Sequence, residues 1–414
     1  MIRILEAKQA KSLLKRKSAR MEEAEGIVRP ILEGVRKHGD KALLEYARKF
    51  DSLDRKSVRV PQAELAESAK RLSPEFRRAL KTAGANIRAY AKTQIPAERH
   101  AELSSGIRLG QIVRPLDTVA AYIPSGRYPL PSTLLMTVIP AQVAGVPNIC
   151  VATPRIVDEI WGTASILKAS HVFQMGGAHA IAAFAFGTRT VPRADRIVGP
   201  GSIYVAAAKK LLAGEVGIDF VAGPTEILLI AEDGNPVILA ADMLAQAEHD
   251  TDASAILLTP SRGLGEAVAG EIEKQLETLP TAETARVAIR KNSAILIVDS
   301  IDHAVDLANQ FAPEHLSIPS RAILGRIRHA GSVFIGKYSP EAAGDYASGP
   351  NHVLPTNGAA RLRGGLSAAD YVKVISVQEL SRKGLESIRP SVTTLARAEG
   401  LEAHARSVEV RENA

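Results

Sequence analysis

From Gly110 onward the chain alternates, and this constrains the fold more than any other feature. Short apolar runs rich in β-formers (residues 119–123, 149–153, 171–174, 196–198, 227–231, 255–259 and 294–298) are separated by segments of helical periodicity. Such alternation predicts an α/β architecture, with parallel strands in more than one sheet. Before it, residues 22–94 read as helical, with Ile27, Ile31, Leu32 and Val35 at spacings of three and four and charges between them. Neither a repeat nor a Pro/Ser-rich linker marks a border, so domains must be joined by crossing strands or tight loops.

The 414 residues suffice for two to four domains at roughly 100–200 residues each. With 46% hydrophobic and 23% charged residues, the profile is that of an ordinary globular protein. The net charge of +7 mildly favours anionic ligands. The densest basic run, Lys15-Arg16-Lys17 with Arg20, is interleaved with Leu13, Leu14, Glu22 and Glu23, which is the pattern of a solvated helix face and not of a nucleic-acid site. A single cysteine, Cys150, lies in the apolar run 148–152 and excludes an intrachain disulfide; it reads as a buried small hydrophobe. The N-terminus mixes Arg3, Glu6, Lys8 and Lys11 with apolar residues and lacks the core of a signal peptide, so a reducing, cytoplasmic setting is expected. The longest uncharged stretch, 128–154, carries Pro129, Pro131, Pro140 and Pro147 and reads as a buried helix followed by a buried strand, not as a membrane span.

Two predicted strand-to-helix turns carry glycines: Gly176-Gly177-Ala178-His179 and Gly199-Pro200-Gly201-Ser202. Glycines there let main chain approach a phosphate at a helix start, although tight packing of the turn explains them equally well. Titratable residues gather further on. Gln246 and His249 stand three apart on a predicted helix and project from one face, where they could hold a metal or cap the helix end. Glu314-His315 follows Pro313, which biases Ala312 out of helix, so the pair begins a new element; an adjacent acid and imidazole offer two proton acceptors of different basicity, although an exposed pair at a helix start is the commoner reading of such a dipeptide. Asp345 and His352 lie in the glycine- and proline-punctuated segment 344–356, read as a loop, and Glu399 and His404 lie near the C-terminus.

Taken together these segments resemble the histidinol dehydrogenases, zinc enzymes that oxidise L-histidinol through the aldehyde to L-histidine with two NAD. The resemblance covers essentially the whole chain. It is carried by Gln246-Ala247-Glu248-His249, Ala312-Pro313-Glu314-His315-Leu316, the segment 343–356 and Ala222-Gly223-Pro224-Thr225-Glu226. It implies that Gln246, His249, Asp345 and His404 are zinc ligands that also meet the substrate, and that Glu314 and His315 are proton acceptors. It further implies substrate contacts at Thr225, His315, His352 and Glu399 and an NAD site that includes Tyr122, His179 and Ser202. Two of these depart from the family pattern, which usually has Gln where this chain has His179 and Asn where it has Ser202.

The implied fold is α/β, with two Rossmann-like parallel-sheet domains and small helical arms at both ends. Residues 1–20 are expected to form the N-terminal helical arm. Residues 21–121 and 225–366 would form the main domain, 122–224 the domain that contributes the NAD site, and 367–414 an arm reaching the partner subunit of a homodimer. Two other readings fit parts of the pattern: a related dehydrogenase of another small polar alcohol, and a zinc hydrolase in which Glu314 activates metal-bound water.

Overall fold

The computed structural model describes residues 1–9, 19–104, 106–124 and 128–413. The basic run Lys15-Arg16-Lys17 lies outside them. All seven apolar runs form strands, and they divide between two wholly parallel sheets.

The six-stranded sheet runs, in spatial order, Arg3–Glu6, Ala294–Ile297, Ser254–Thr259, Glu226–Ile230, His315–Ile318 and Ser332–Ile335. Successive side chains of a strand point to opposite faces, so a strand covered on both sides must be apolar at every position. Ile227, Leu229, Leu257 and Ile295 pack with Met243, Val268 and Ile272 on one face. Leu228, Ile230, Leu258 and Leu296 pack with Val305, Ala308 and Phe311 on the other.

The five-stranded sheet runs His171–Gln174, Asn148–Thr153, Thr118–Tyr122, Arg196–Val198 and Gly217–Ile218. Cys150 is buried in its second strand, where burial pushes the thiol up to about 12, as befits a packing residue. The uncharged stretch forms the helix Pro131–Ala144, opened by a proline in its first turn and closed by Gly145 at φ +85°, followed by the strand Asn148–Thr153. No described helix is long and apolar enough to cross a membrane.

Three expectations are corrected. The N-terminal segment is not wholly helical: Arg3–Glu6 adds an edge strand to the six-stranded sheet, burying Ile2 in its core. The helices between residues 19 and 93 do not belong with that sheet. Val28, Leu32, Val35 and Leu43 pack on one face of the five-stranded sheet, and Leu65, Leu80 and Ile87 on the other, because the apolar stripes of these helices complete its two cores. The C-terminal arm is not wholly helical either. Its strand Val372–Leu380 pairs antiparallel with Ile107–Pro115, which pairs in turn with Arg99–Ser104, and only then come the helices Arg382–Ala398 and Glu402–Glu409.

Candidate active site

The candidate site forms where loops arrive at the amino ends of the strands Glu226–Ile230 and His315–Ile318. The helix Ile301–Phe311 stops at Ala312, whose φ is +52°, and Pro313 cannot continue it, so Glu314 and His315 lead directly into a buried strand. Both side chains are inside the protein. Glu314 is 6% and His315 3% exposed. Oε2 of Glu314 accepts from the Thr225 hydroxyl at 2.6 Å and from the Glu226 N–H at 2.9 Å. Burial raises its pKa, against the opposing pull of His315 and these hydrogen bonds.

His315 Nδ1 lies 3.2 Å from the main-chain oxygen of Glu226, which can only accept, so Nδ1 carries a proton and donates. Its Nε2 is buried and has no hydrogen-bond partner among the described residues; the nearest carboxylate oxygen recorded, Asp345 Oδ1, is 3.7 Å away. Burial by itself would lower the pKa of His315, but Glu341, Glu314 and Asp345 outweigh it and lift the ring to about 10.

Gln246 lies on the helix Pro236–Ala247 as expected, whereas His249 falls just past that helix's end, held there by its N–H to the Gln246 carbonyl. Asp345 does not lie in a loop: the helix Glu341–Tyr346 carries it. Asp345 Oδ2 is 3.7 Å from His249 Nε2, and the nearby His249 and His315 overcome its burial to hold its carboxyl well below the ordinary range. The same helix brings in Glu341, which sequence reasoning missed. Glu341 is 3% exposed, 3.4 Å from His315 Nδ1, and pushed up to about 8 by burial. A signal for it existed, because Glu341 and Asp345 are four apart and so share one face of a helix.

The Gln246 amide lies 2.8 Å from Thr225 Oγ1 and 2.7 Å from Glu341 Oε1. A hydroxyl has one proton, and that of Thr225 goes to Glu314. Gln246 therefore donates its N–H to Thr225, and its oxygen faces Glu341, a contact satisfied while Glu341 keeps its proton. The donor set suits a cation. His249, Glu341 and Asp345 each offer a ligand atom within 4.8 Å of the others, beside the Gln246 amide, and two of the neighbouring acids, Glu314 and Glu341, are buried.

His352 stands beside Asp345 at the edge of the cluster. Its Nδ1 donates to the Asp345 carbonyl at 2.8 Å and its Nε2 accepts from the Thr133 hydroxyl at 3.1 Å, while burial lowers its pKa and keeps the ring neutral. The link to Thr133 joins the cluster to the five-stranded sheet's side of the molecule. There Tyr122 ends its strand beside both glycine turns: its hydroxyl accepts from the Gly177 N–H at 3.2 Å, and a Cβ on Gly199 would lie 2.2 Å from its carbonyl oxygen. His179 is buried with its ring turned to Asp51, and Ser202 is exposed at the start of the helix Ile203–Leu212 without a side-chain cap bond.

Two expected residues are not brought in. Glu399 and His404 are exposed on the C-terminal arm, and among the described residues no hydrogen bond or ion pair joins their side chains to the site.

Known proteins decide the family. The family profile of histidinol dehydrogenase matches residues 14–412. A histidinol dehydrogenase from Halalkalibacterium halodurans is 45% identical over 393 residues, covering 93% of each chain, and one from Geobacillus kaustophilus is 45% identical over 399 residues, covering 94% of each. The chain belongs to the histidinol dehydrogenase family. The crystal structure of the histidinol dehydrogenase from Elizabethkingia anophelis superposes with a TM-score of 0.95 at 37% identity, covering 99% of this chain and 98% of that one. Neither the hydrolase nor the other-alcohol reading is favoured by a likeness to histidinol dehydrogenases that runs the length of the chain.

Proposed function

We propose that the chain catalyses the zinc-dependent oxidation of L-histidinol through L-histidinal to L-histidine, with two NAD as hydride acceptors, in the cytoplasm. The observation that carries this reading is the buried His315, its Nδ1 committed to the Glu226 carbonyl on the side of the ring that faces Glu314 and its Nε2 left without a partner. In the first half-reaction Nε2 takes the alcohol proton as hydride leaves for NAD. In the second, water adds to the aldehyde. Glu314, held by Thr225 and the Glu226 N–H, takes the water proton before the second hydride leaves.

Gln246, His249 and Asp345, together with His404 of the partner subunit, are the residues that would hold zinc. Bound there, the ion would offset the acids' charge, bring His315 down toward a working base and orient the substrate's nitrogens. The homodimer is part of the proposal. The arm that carries Glu399 and His404 exposes Leu395, Leu401 and Val410, apolar groups suited to burial against a second copy. Purified protein given L-histidinol and NAD should form NADH and histidine, lose turnover on chelation and regain it with zinc. Absence of NADH formation by zinc-replete protein would overturn the reading.

A further inference from the structure

Each glycine turn is braced by a buried carboxylate that reaches it from elsewhere in the chain. At the first turn, Asp51, the last residue of the helix Asp40–Asp51, accepts the Gly176 N–H on Oδ2 at 2.8 Å. The same oxygen lies 2.7 Å from His179 Nε2, and the two side chains are 6% and 2% exposed. At the second turn, Asp219 accepts the Gly199 N–H at 2.7 Å and the Lys209 ammonium at 2.6 Å, and Lys209 also donates to the Gly199 carbonyl at 2.6 Å. Burying a carboxylate is costly unless it is paired and hydrogen-bonded. Here the cost is met twice, both times with the acid aimed at the main chain of a turn's first glycine and a buried base beside it.

The fit around the first turn is close. A Cβ on Gly176 would lie 2.7 Å from Pro154 Cβ and 3.0 Å from Asp51 Oδ1, and Gly177 sits at φ +54°. The His179 ring packs against the stacked pair Tyr46 and Phe50, with centroids 6.0 and 6.1 Å away. Tyr122 holds the Gly177 N–H, and its burial together with the Asp51 charge pushes the phenol up to about 12, so it stays protonated. By helix geometry the next N–H groups, those of Ala178 and His179, have no intrahelical acceptor and remain for an anionic ligand.

Resting on the NAD reading above, we propose that Asp51, with His179 as its buried partner, is a positioning residue that sets the shape of the Gly176-Gly177 turn for the cofactor. His179 then acts on the turn through Asp51 and not by reaching the cofactor with its ring. A gain in cofactor affinity on exchanging His179 for the family's usual Gln is accordingly not expected.

The test measures NAD binding by calorimetry and steady-state constants for wild type, Asp51→Leu, Asp51→Asn, His179→Leu and His179→Gln. Asp51→Leu should raise the Kd and KM for NAD about tenfold or more, the scale of one charge-assisted hydrogen bond, leaving kcat, the KM for histidinol and metal content within about twofold. Asp51→Asn keeps an acceptor for Gly176 and should show a smaller rise. His179→Gln can still donate to Asp51 and should stay near wild type, whereas His179→Leu should not. If Asp51→Leu does not fold, Asp51→Asn and His179→Leu against His179→Gln decide the matter. Unchanged NAD binding in the folded variants, or equal losses for both substrates, overturns the brace alone. No NAD binding by wild type overturns the cofactor reading and the brace with it.

Discussion

The two parallel sheets present opposite edges to the proposed reaction. In the six-stranded sheet the chemistry-bearing residues stand at the amino ends of strands: Thr225 before Glu226–Ile230, His249 before Ser254–Thr259, and Glu314 with His315 at the start of His315–Ile318. In the five-stranded sheet Tyr122, Gly176-Gly177 and Gly199 stand at the carboxyl ends. A carboxyl end of a parallel strand leads into a helix N-terminus, where main-chain N–H groups suit an anionic ligand. An amino end receives loops and helix ends from several directions, so titratable side chains can converge there. Under the proposed function, proton transfer and cofactor anchoring would thereby be divided between the sheets, with the Thr133–His352 contact spanning the division.

If the division is right, damage at the two edges should differ in kind, and the largest effect falls at the amino edge. Glu314→Gln keeps an oxygen for Thr225 and the Glu226 N–H but removes the base. Loss of a general base costs about 10²–10⁴ in rate, and this loss should fall on oxidation of histidinal, with oxidation of histidinol to the aldehyde largely spared. His315→Asn should slow the alcohol step by a similar factor. Separate assays of the two half-reactions, with metal content checked, decide it; equal losses in both for Glu314→Gln would erase the proposed division of labour.

At the carboxyl edge the next largest effect should appear in stability. Lys209 and Asp219 are 3% and 1% exposed, so Lys209→Met leaves a buried carboxylate with no counter-charge and should cost about 3–5 kcal/mol. Urea unfolding measures this. A loss below about 1 kcal/mol would mean that water reaches Asp219 once Lys209 is gone, and the second turn is then not held as firmly as its geometry indicates.

The same contrast governs what could be read from the sequence. Strands buried on both faces are apolar at nearly every position, so Ile227 to Ile230 and Val119 to Tyr122 announce themselves whatever packs on them. Pro313 marked Glu314 and His315 as the start of a new element, but that the element is a buried strand and not an exposed helix start was not legible, and their role came from the family resemblance. The residues that went unread are charged ones whose burial only tertiary structure decides. Asp51 ends a helix that reads as solvated on one face, Glu341 follows Ser339-Pro340 like a surface turn, and Lys209 precedes an exposed Lys210. Each is buried by a partner more than five residues away in sequence: Gly176, His315 and Asp219. The sheet that covers the helices of residues 19–93 was misjudged for a related reason, since an amphipathic stripe says that a helix is covered but not by which sheet.

The smallest effect tests whether the carboxyl edge works through main chain or side chains. Ser202 is exposed at the start of the helix Ile203–Leu212 and its hydroxyl caps nothing. Asn in its place, as is usual in the family, adds an amide that can both donate and accept and reaches one atom further. If main-chain groups of the two braced turns carry cofactor binding, one more solvent-exposed hydrogen bond contributes about 0.5 kcal/mol, and Ser202→Asn should lower the KM for NAD only about twofold. Stability should hardly change, because the Ser202 side chain makes no cap bond for the exchange to remove. A fall of tenfold or more, scored in the same assay as the Asp51 variants, would show that a side chain at this edge had been limiting and that the braced main chain is the lesser contributor.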